Sequence, residues 1–171
     1  MDPRGQNQGL ARVAYRTLQF KPGRDVALLN AMLNVIVAEG MADIQYVQAH
    51  TEGFDALKAK VKDFTPEAME PVCGIPAATI REVARLYARS ERSIIFWGMG
   101  ISQHTHGTDN ARCLIALSLV TGQVGRPGTG LHPLRGQNNV QGACDMGSFP
   151  HEVSGYRHIS DAGARALFAK E

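Results

Sequence analysis

Ser93-Ile94-Ile95-Phe96-Trp97-Gly98-Met99-Gly100 runs from a compact apolar segment straight into a glycine-flanked turn. A short apolar run bounded by such a turn reads as a buried parallel strand. Working outward, Pro76 opens a helical pattern through about Ala88, with Ile80, Val83, Ala84 and Tyr87 facing inward. On the other side, Asp109 to Thr121 repeats as a strongly apolar helix that Gly122 stops. Helix, strand, helix in this order implies an α/β fold with a short parallel sheet flanked by helices. Anionic ligands bind such sheets beyond the carboxyl ends of the strands. Gly98, Met99 and Gly100 are therefore candidate ligand contacts, against the plain alternative of a tight turn. The spacing Gly-x-Gly-x-x-Gln departs from Gly-x-Gly-x-x-Gly, so a nicotinamide fingerprint is not supported.

Towards the start, residues 13–20 alternate well enough for a strand. Pro22-Gly23 then breaks the chain, and Asp25 can cap the helix expected over Val26 to Glu39. Further helices are expected over 43–49 and 54–61, and Thr65-Pro66-Glu67 reads as a cap with a first-turn proline. After Gly125 the chain reads mostly as loop, with a last helix over 161–170.

Within that loop lies Leu131-His132-Pro133-Leu134-Arg135-Gly136-Gln137-Asn138-Asn139-Val140-Gln141-Gly142-Ala143-Cys144-Asp145-Met146-Gly147. It reads as too polar and too glycine-rich for strand or helix. Arg135 stands among neutral amides and a thiol, which suits an anionic ligand in a partly dry site. Its planar fork can hold a carboxylate by two parallel hydrogen bonds and keeps its charge at any working pH. The bland alternative is a surface loop capping its own turns, with Arg135 paired to Asp145 or Glu152.

Composition narrows the classes. The chain has 171 residues, 44% of them apolar, and a formal net charge of +2. That is enough for a core, and it implies neither disorder nor a nucleic-acid surface. No apolar run reaches the roughly 18 residues of a membrane span. Cys73, Cys113 and Cys144 are too widely spaced for a cluster or zinc site, and reduced thiols suit the cytoplasm. Cys113 falls in an apolar helix pattern as a small core residue, while a reactive or ligating Cys144 is a minor alternative. His104 and His106 are one residue apart, but they read as loop histidines with no third ligand nearby.

The run from Leu131 to Gly147 closely resembles the large subunit of molybdenum- or tungsten-dependent formate dehydrogenases, within the molybdopterin oxidoreductase family. Trp97 to His104, Thr121 to Gly128, Asp2-Pro3-Arg4 and Leu18 to Leu29 resemble it in the same order. Ser148 to Glu152 and Gly155 to His158 are most similar to the soluble NAD-linked type. The resemblance implies a catalytic subunit that oxidises formate to carbon dioxide at a bis-pterin-bound molybdenum or tungsten. Arg135 would orient formate. Gly136 and Gln137 would approach the pterin, and Gly98, Met99, Gly100 and Gln103 its phosphates. Asp2, Arg4, Gly23 and Asp25 would grip a molybdopterin guanine dinucleotide, Asp25 by accepting from guanine N1 and N2. It also implies a pterin-dinucleotide domain over 1–130 and the start of the next domain over 131–171. A 4Fe-4S cluster and a metal-ligating Cys or selenocysteine would lie in a further part of the subunit, beside iron–sulfur and flavin/NAD partner subunits. The chain is thus expected to be an internal fragment, inactive alone. The rival expectations are a stand-alone dinucleotide-binding or cofactor-delivery module, or a non-functional truncation product.

Overall fold

The computed structural model describes residues 9–169. The chain divides into two compact units, Met1–Pro133 and Leu134–Glu171. It is a mixed α/β structure, rich in helix, with a short parallel sheet.

The first unit is organised around α1 (Asp25–Ala38). This helix is apolar on nearly every face, as a central helix must be. Its Leu28, Ala31, Met32, Leu33, Val35 and Ile36 are all buried. Around it stand α2 (Ile44–His50), α3 (Phe54–Val61), α4 (Pro66–Cys73), α5 (Ala77–Arg89) and α7 (Gly107–Val120). Val61, Cys73, Ile80, Ala84, Leu117 and Val120 complete the same core. Each large aliphatic side chain buried there contributes about 1.5–3 kcal/mol.

Polar groups in and around this core close helix ends. Asn34 Nδ2 donates to the carbonyls of Val61 at 2.9 Å and Lys62 at 3.1 Å, tying down the exit of α3. Asp43 accepts from Tyr46 N, and Thr65 from Ala68 N with Pro66 opening the helix, so α2 and α4 start at side-chain caps. Arg85 donates twice to Glu39, both at 2.8 Å, linking α5 to the end of α1. That guanidinium holds the Glu39 carboxyl below the ordinary carboxylate range.

Strand β1 (Ile94–Trp97) pairs in parallel with β2 (Gly130–Pro133), Ile94 opposite Gly130 and Trp97 opposite Pro133. Between them run α6 (Met99–Ser102) and α7. The expectation of a parallel strand holds, but the expected burial does not. Ile94 is 43% and Phe96 60% exposed, because no described element covers that face. Phe96 stacks on His132 of the neighbouring strand instead.

Gln123 fixes the entry to β1. It is 2% exposed, accepts from Ser93 N at 3.0 Å and donates to Ser90 O at 2.8 Å. Gln123→Ala strands both backbone groups and is expected to cost about 2–3 kcal/mol, read as a lowered midpoint in urea unfolding.

The second unit holds α8 (Val140–Asp145), the antiparallel pair β3 (Glu152–Val153) and β4 (Arg157–His158), and α9 (Ala162–Phe168). Asp161 caps α9 by accepting from Gly163 N and Ala164 N, which lowers its carboxyl pKa.

Three further sequence expectations need correction. Residues 13–20 form no strand: a 3-10 turn at Leu10–Arg12 leads into irregular chain. Alternation there serves two surfaces rather than a sheet. Leu18 and Phe20 pack on the helical core, while Tyr15 and Arg16 bond Glu82 of α5. Asp25 is not the cap of α1 but its first residue; Arg24 is the cap, without a side-chain bond. Finally, 131–147 is not all loop, since β2 occupies its start and α8 its second half.

Candidate functional site

The backbone leaves β1 through Gly98, which is extended and half-buried, and enters α6 at Met99. The first helical bond is made by Ile101 N, so the amides of Met99 and Gly100 precede the ladder. Met99, Gly100 and Gln103 are exposed. Among the described residues the Gln103 side chain has no hydrogen-bond partner.

Two residues that the sequence reading missed hold this turn in place. Asn110, 2% exposed, donates from Nδ2 to Ile101 O at 2.9 Å. Gly107 lies so close to the turn that a Cβ on it would stand 1.9 Å from Ser102 O. A polar Asn on the apolar face of an otherwise core helix was the available signal. Trp97 adds a bond from Nε1 to Ser102 Oγ at 3.2 Å.

In the same unit, Gly23 turns with φ +70° into α1. Asp25 follows at 4% exposure, and its carboxylate accepts no hydrogen bond from any described residue. A cavity of about 390 Å³ opens at the start of α1, lined by Gly23, Arg24, Val26, Phe64, His106 and Asp109 among others, with Asp25 behind its wall rather than in it. The start of α1 and the turn before α7 therefore share one cavity. Asp2 and Arg4 lie outside the described residues.

In the second unit Arg135, Gly136 and Gln137 occupy the exposed tie 134–139 ahead of α8. Among the described residues the Arg135 guanidinium has no hydrogen bond or ion pair. Neither proposed surface partner takes it. Asp145 accepts from Tyr156 and Gln141, and Glu152 lies 3.8 Å from His151. Gln137 likewise has a free side-chain amide among the described residues. Asn139 adopts a left-handed backbone, φ +51°, and caps α8 by accepting from Gly142 N. A Cβ on Gly142 would meet that cap at 2.5 Å, which is why glycine stands there.

The buried cysteines, Cys73 and Cys113, offer no rival nucleophile. Cys113 is buried and donates to Asn30 Oδ1 at 3.4 Å, and burial with the nearby Asp109 pushes its thiol up to about 11. Such a thiol is a packing residue rather than a nucleophile. Among the described residues no group of three or more His, Cys, Asp or Glu could hold a metal ion. No described helix is long and apolar enough to cross a membrane.

Comparison with known proteins places the chain in a family. The profile of the family described as Molybdopterin oxidoreductase matches residues 1–168. Formate dehydrogenase H of Escherichia coli is 44% identical over 160 residues, which are 94% of this chain and 22% of that protein. The F420-dependent formate dehydrogenase subunit alpha of Methanocaldococcus jannaschii is 47% identical over 144 residues, 84% of this chain and 21% of that one. The structure of acetylene hydratase from Pelobacter acetylenicus superposes with a TM-score of 0.65 at 27% identity, over 69% of this chain and 16% of that one. The chain spans about a fifth of the length of these curated relatives. A profile match along nearly the whole sequence, carried by a fold that agrees with it, shows that the chain belongs to the molybdopterin oxidoreductase family.

Proposed function

We propose that this chain is part of a formate dehydrogenase catalytic subunit, where it holds one molybdopterin guanine dinucleotide and supplies the arginine that orients formate. The observation that carries this reading is Arg135, exposed and free of any described partner on a glycine-bounded tie. Formate is a planar carboxylate whose carbon-bound hydrogen must face the reacting centre. A free guanidinium fork can hold both oxygens and leave that hydrogen outward. When bound, the molybdenum or tungsten centre supplies the two-electron acceptor. The residues for its ligation and for an iron–sulfur relay to flavin and NAD partners belong, in this reading, to other parts of the enzyme.

The donor and acceptor set fits the dinucleotide. Guanine offers adjacent N–H donors, and Asp25 offers two acceptor oxygens that no described residue satisfies. A shielded carboxylate gains most from such a pair. The dipole of α1 favours the negative charge at its first turn. The cavity lined by Gly23, Arg24 and Val26, next to Asp25 in the chain, has room for a base with its sugar. The amides of Met99 and Gly100, with the Gln103 side chain, suit phosphate oxygens. Gly136 and Gln137 lie next to Arg135 and would meet the pterin.

Asp25→Asn tests the nucleotide half of the reading. It should cut the guanine nucleotide released by acid hydrolysis to less than about half per polypeptide, one charge-assisted contact being worth about 1.5–3 kcal/mol. The thermal midpoint of the nucleotide-free protein should not fall, because a buried charge has been removed. Full nucleotide content in the variant would take Asp25 out of the site.

A further inference from the structure

Tyr156 is the residue whose chemistry remains unassigned. It carries a left-handed backbone, φ +59°, a conformation that a side chain with a Cβ rarely adopts. Glycine would take this angle without strain, so the tyrosine side chain must return something for it. Its hydroxyl donates to Asp145 Oδ1 at 2.5 Å and accepts from Gln141 Nε2 at 2.6 Å. Gln141 Nε2 also reaches Asp145 Oδ1 at 3.2 Å.

Gln141 and Asp145 are four residues apart and so lie on one face of α8. The tyrosine thus bonds the first and last turns of that helix at a single oxygen. Three more contacts bind the same segment. Gly155 N donates to Asp145 O at 2.9 Å, and Ser154 Oγ donates to Met146 O at 3.0 Å. Gly147 packs so tightly that a Cβ there would stand 2.7 Å from Ser154 N. At its other end α8 starts at Asn139, whose side chain caps it by accepting from Gly142 N. Arg135 stands four residues before that cap, on the exposed tie that leads into it.

We propose that Tyr156, held by Asp145 and Gln141, is a positioning residue that sets where the Arg135 guanidinium waits for its carboxylate substrate. This rests on the reading of Arg135 given above. Bonding to Asp145 pushes the Tyr156 hydroxyl up to about 12, so it stays a proton donor across the working range. The latch acts before substrate arrives. Once formate is bound, its own two hydrogen bonds hold the arginine. Its loss should therefore appear in KM rather than in kcat.

The test is a set of variants in the complete enzyme, each made with and without Arg135→Lys. Tyr156→Phe and Asp145→Ala should raise the formate KM by about 10-fold and leave kcat within about twofold. Asp145→Asn keeps an acceptor for the tyrosine and should rescue most of that loss. In the Arg135→Lys background Tyr156→Phe should add less than about twofold, because the two residues act through one contact. An unchanged KM, or equal losses in both backgrounds, overturns the proposal. If Tyr156→Phe does not fold, the Asp145 pair decides: equal kinetics for Ala and Asn refute the latch. An Arg135→Lys enzyme with wild-type kinetics would instead sink the reading of Arg135 itself.

Discussion

Arg135→Lys, made in a complete enzyme, is expected to lower formate kcat/KM by about 100-fold while metal and pterin content stay at the wild-type level. In the proposed reading the side chain meets formate with no competing partner among the described residues, so its fork is available whole. Lysine keeps the charge but replaces two fixed, parallel donors by one rotating ammonium. Losing one charge-assisted bond, together with the orientation it imposed, is worth about 3 kcal/mol. Steady-state kinetics with metal analysis on the same preparation separates this from a loading defect. Turnover equal to wild type would remove Arg135 from the site.

Gly107→Ala is expected to destabilise the first unit by about 3 kcal/mol or more, seen as a large drop in the thermal midpoint. Two effects oppose each other here. Alanine in a helix gains about 1 kcal/mol over glycine. Against that, its Cβ would fall 1.9 Å from Ser102 O, which is backbone and cannot rotate away. The turn must move, and the bond from Asn110 to Ile101 O moves with it. Because that turn presents Gly98, Met99 and Gly100, surviving protein should also retain less pterin dinucleotide. A midpoint at or above wild type would show that the turn is not packed in this way.

Much of the fold was legible because helices announce themselves locally. The apolar spacing over 26–39, 54–61 and 109–121 and the cap at Thr65 each depend on residues within a few positions, and each helix is present. The parallel strand at 94–97 was legible from its length and its glycine turn. Long-range facts were not. Alternation over 13–20 says that two faces differ, not that a strand edge is waiting, and none of the described edges takes it. Helix α8 depends on the Asn139 side chain folding back on Gly142 N with a left-handed backbone, which composition does not reveal. Asp25 was misplaced by one position because a carboxylate is as much at home in the first turn as at the cap. Among the site residues, side-chain chemistry alone could not choose between a free Arg135 and one paired with Asp145. The Tyr156 and Gln141 bonds to Asp145 decide it.

Formate-dependent reduction of a viologen dye by the purified native protein, with metal and pterin quantified in the same sample, tests the formate reading most directly. Dye reduction that tracks metal content is the expected result. A preparation fully loaded with metal and pterin that leaves the dye oxidised in the presence of formate would contradict it, and the pterin site would then serve some other reaction.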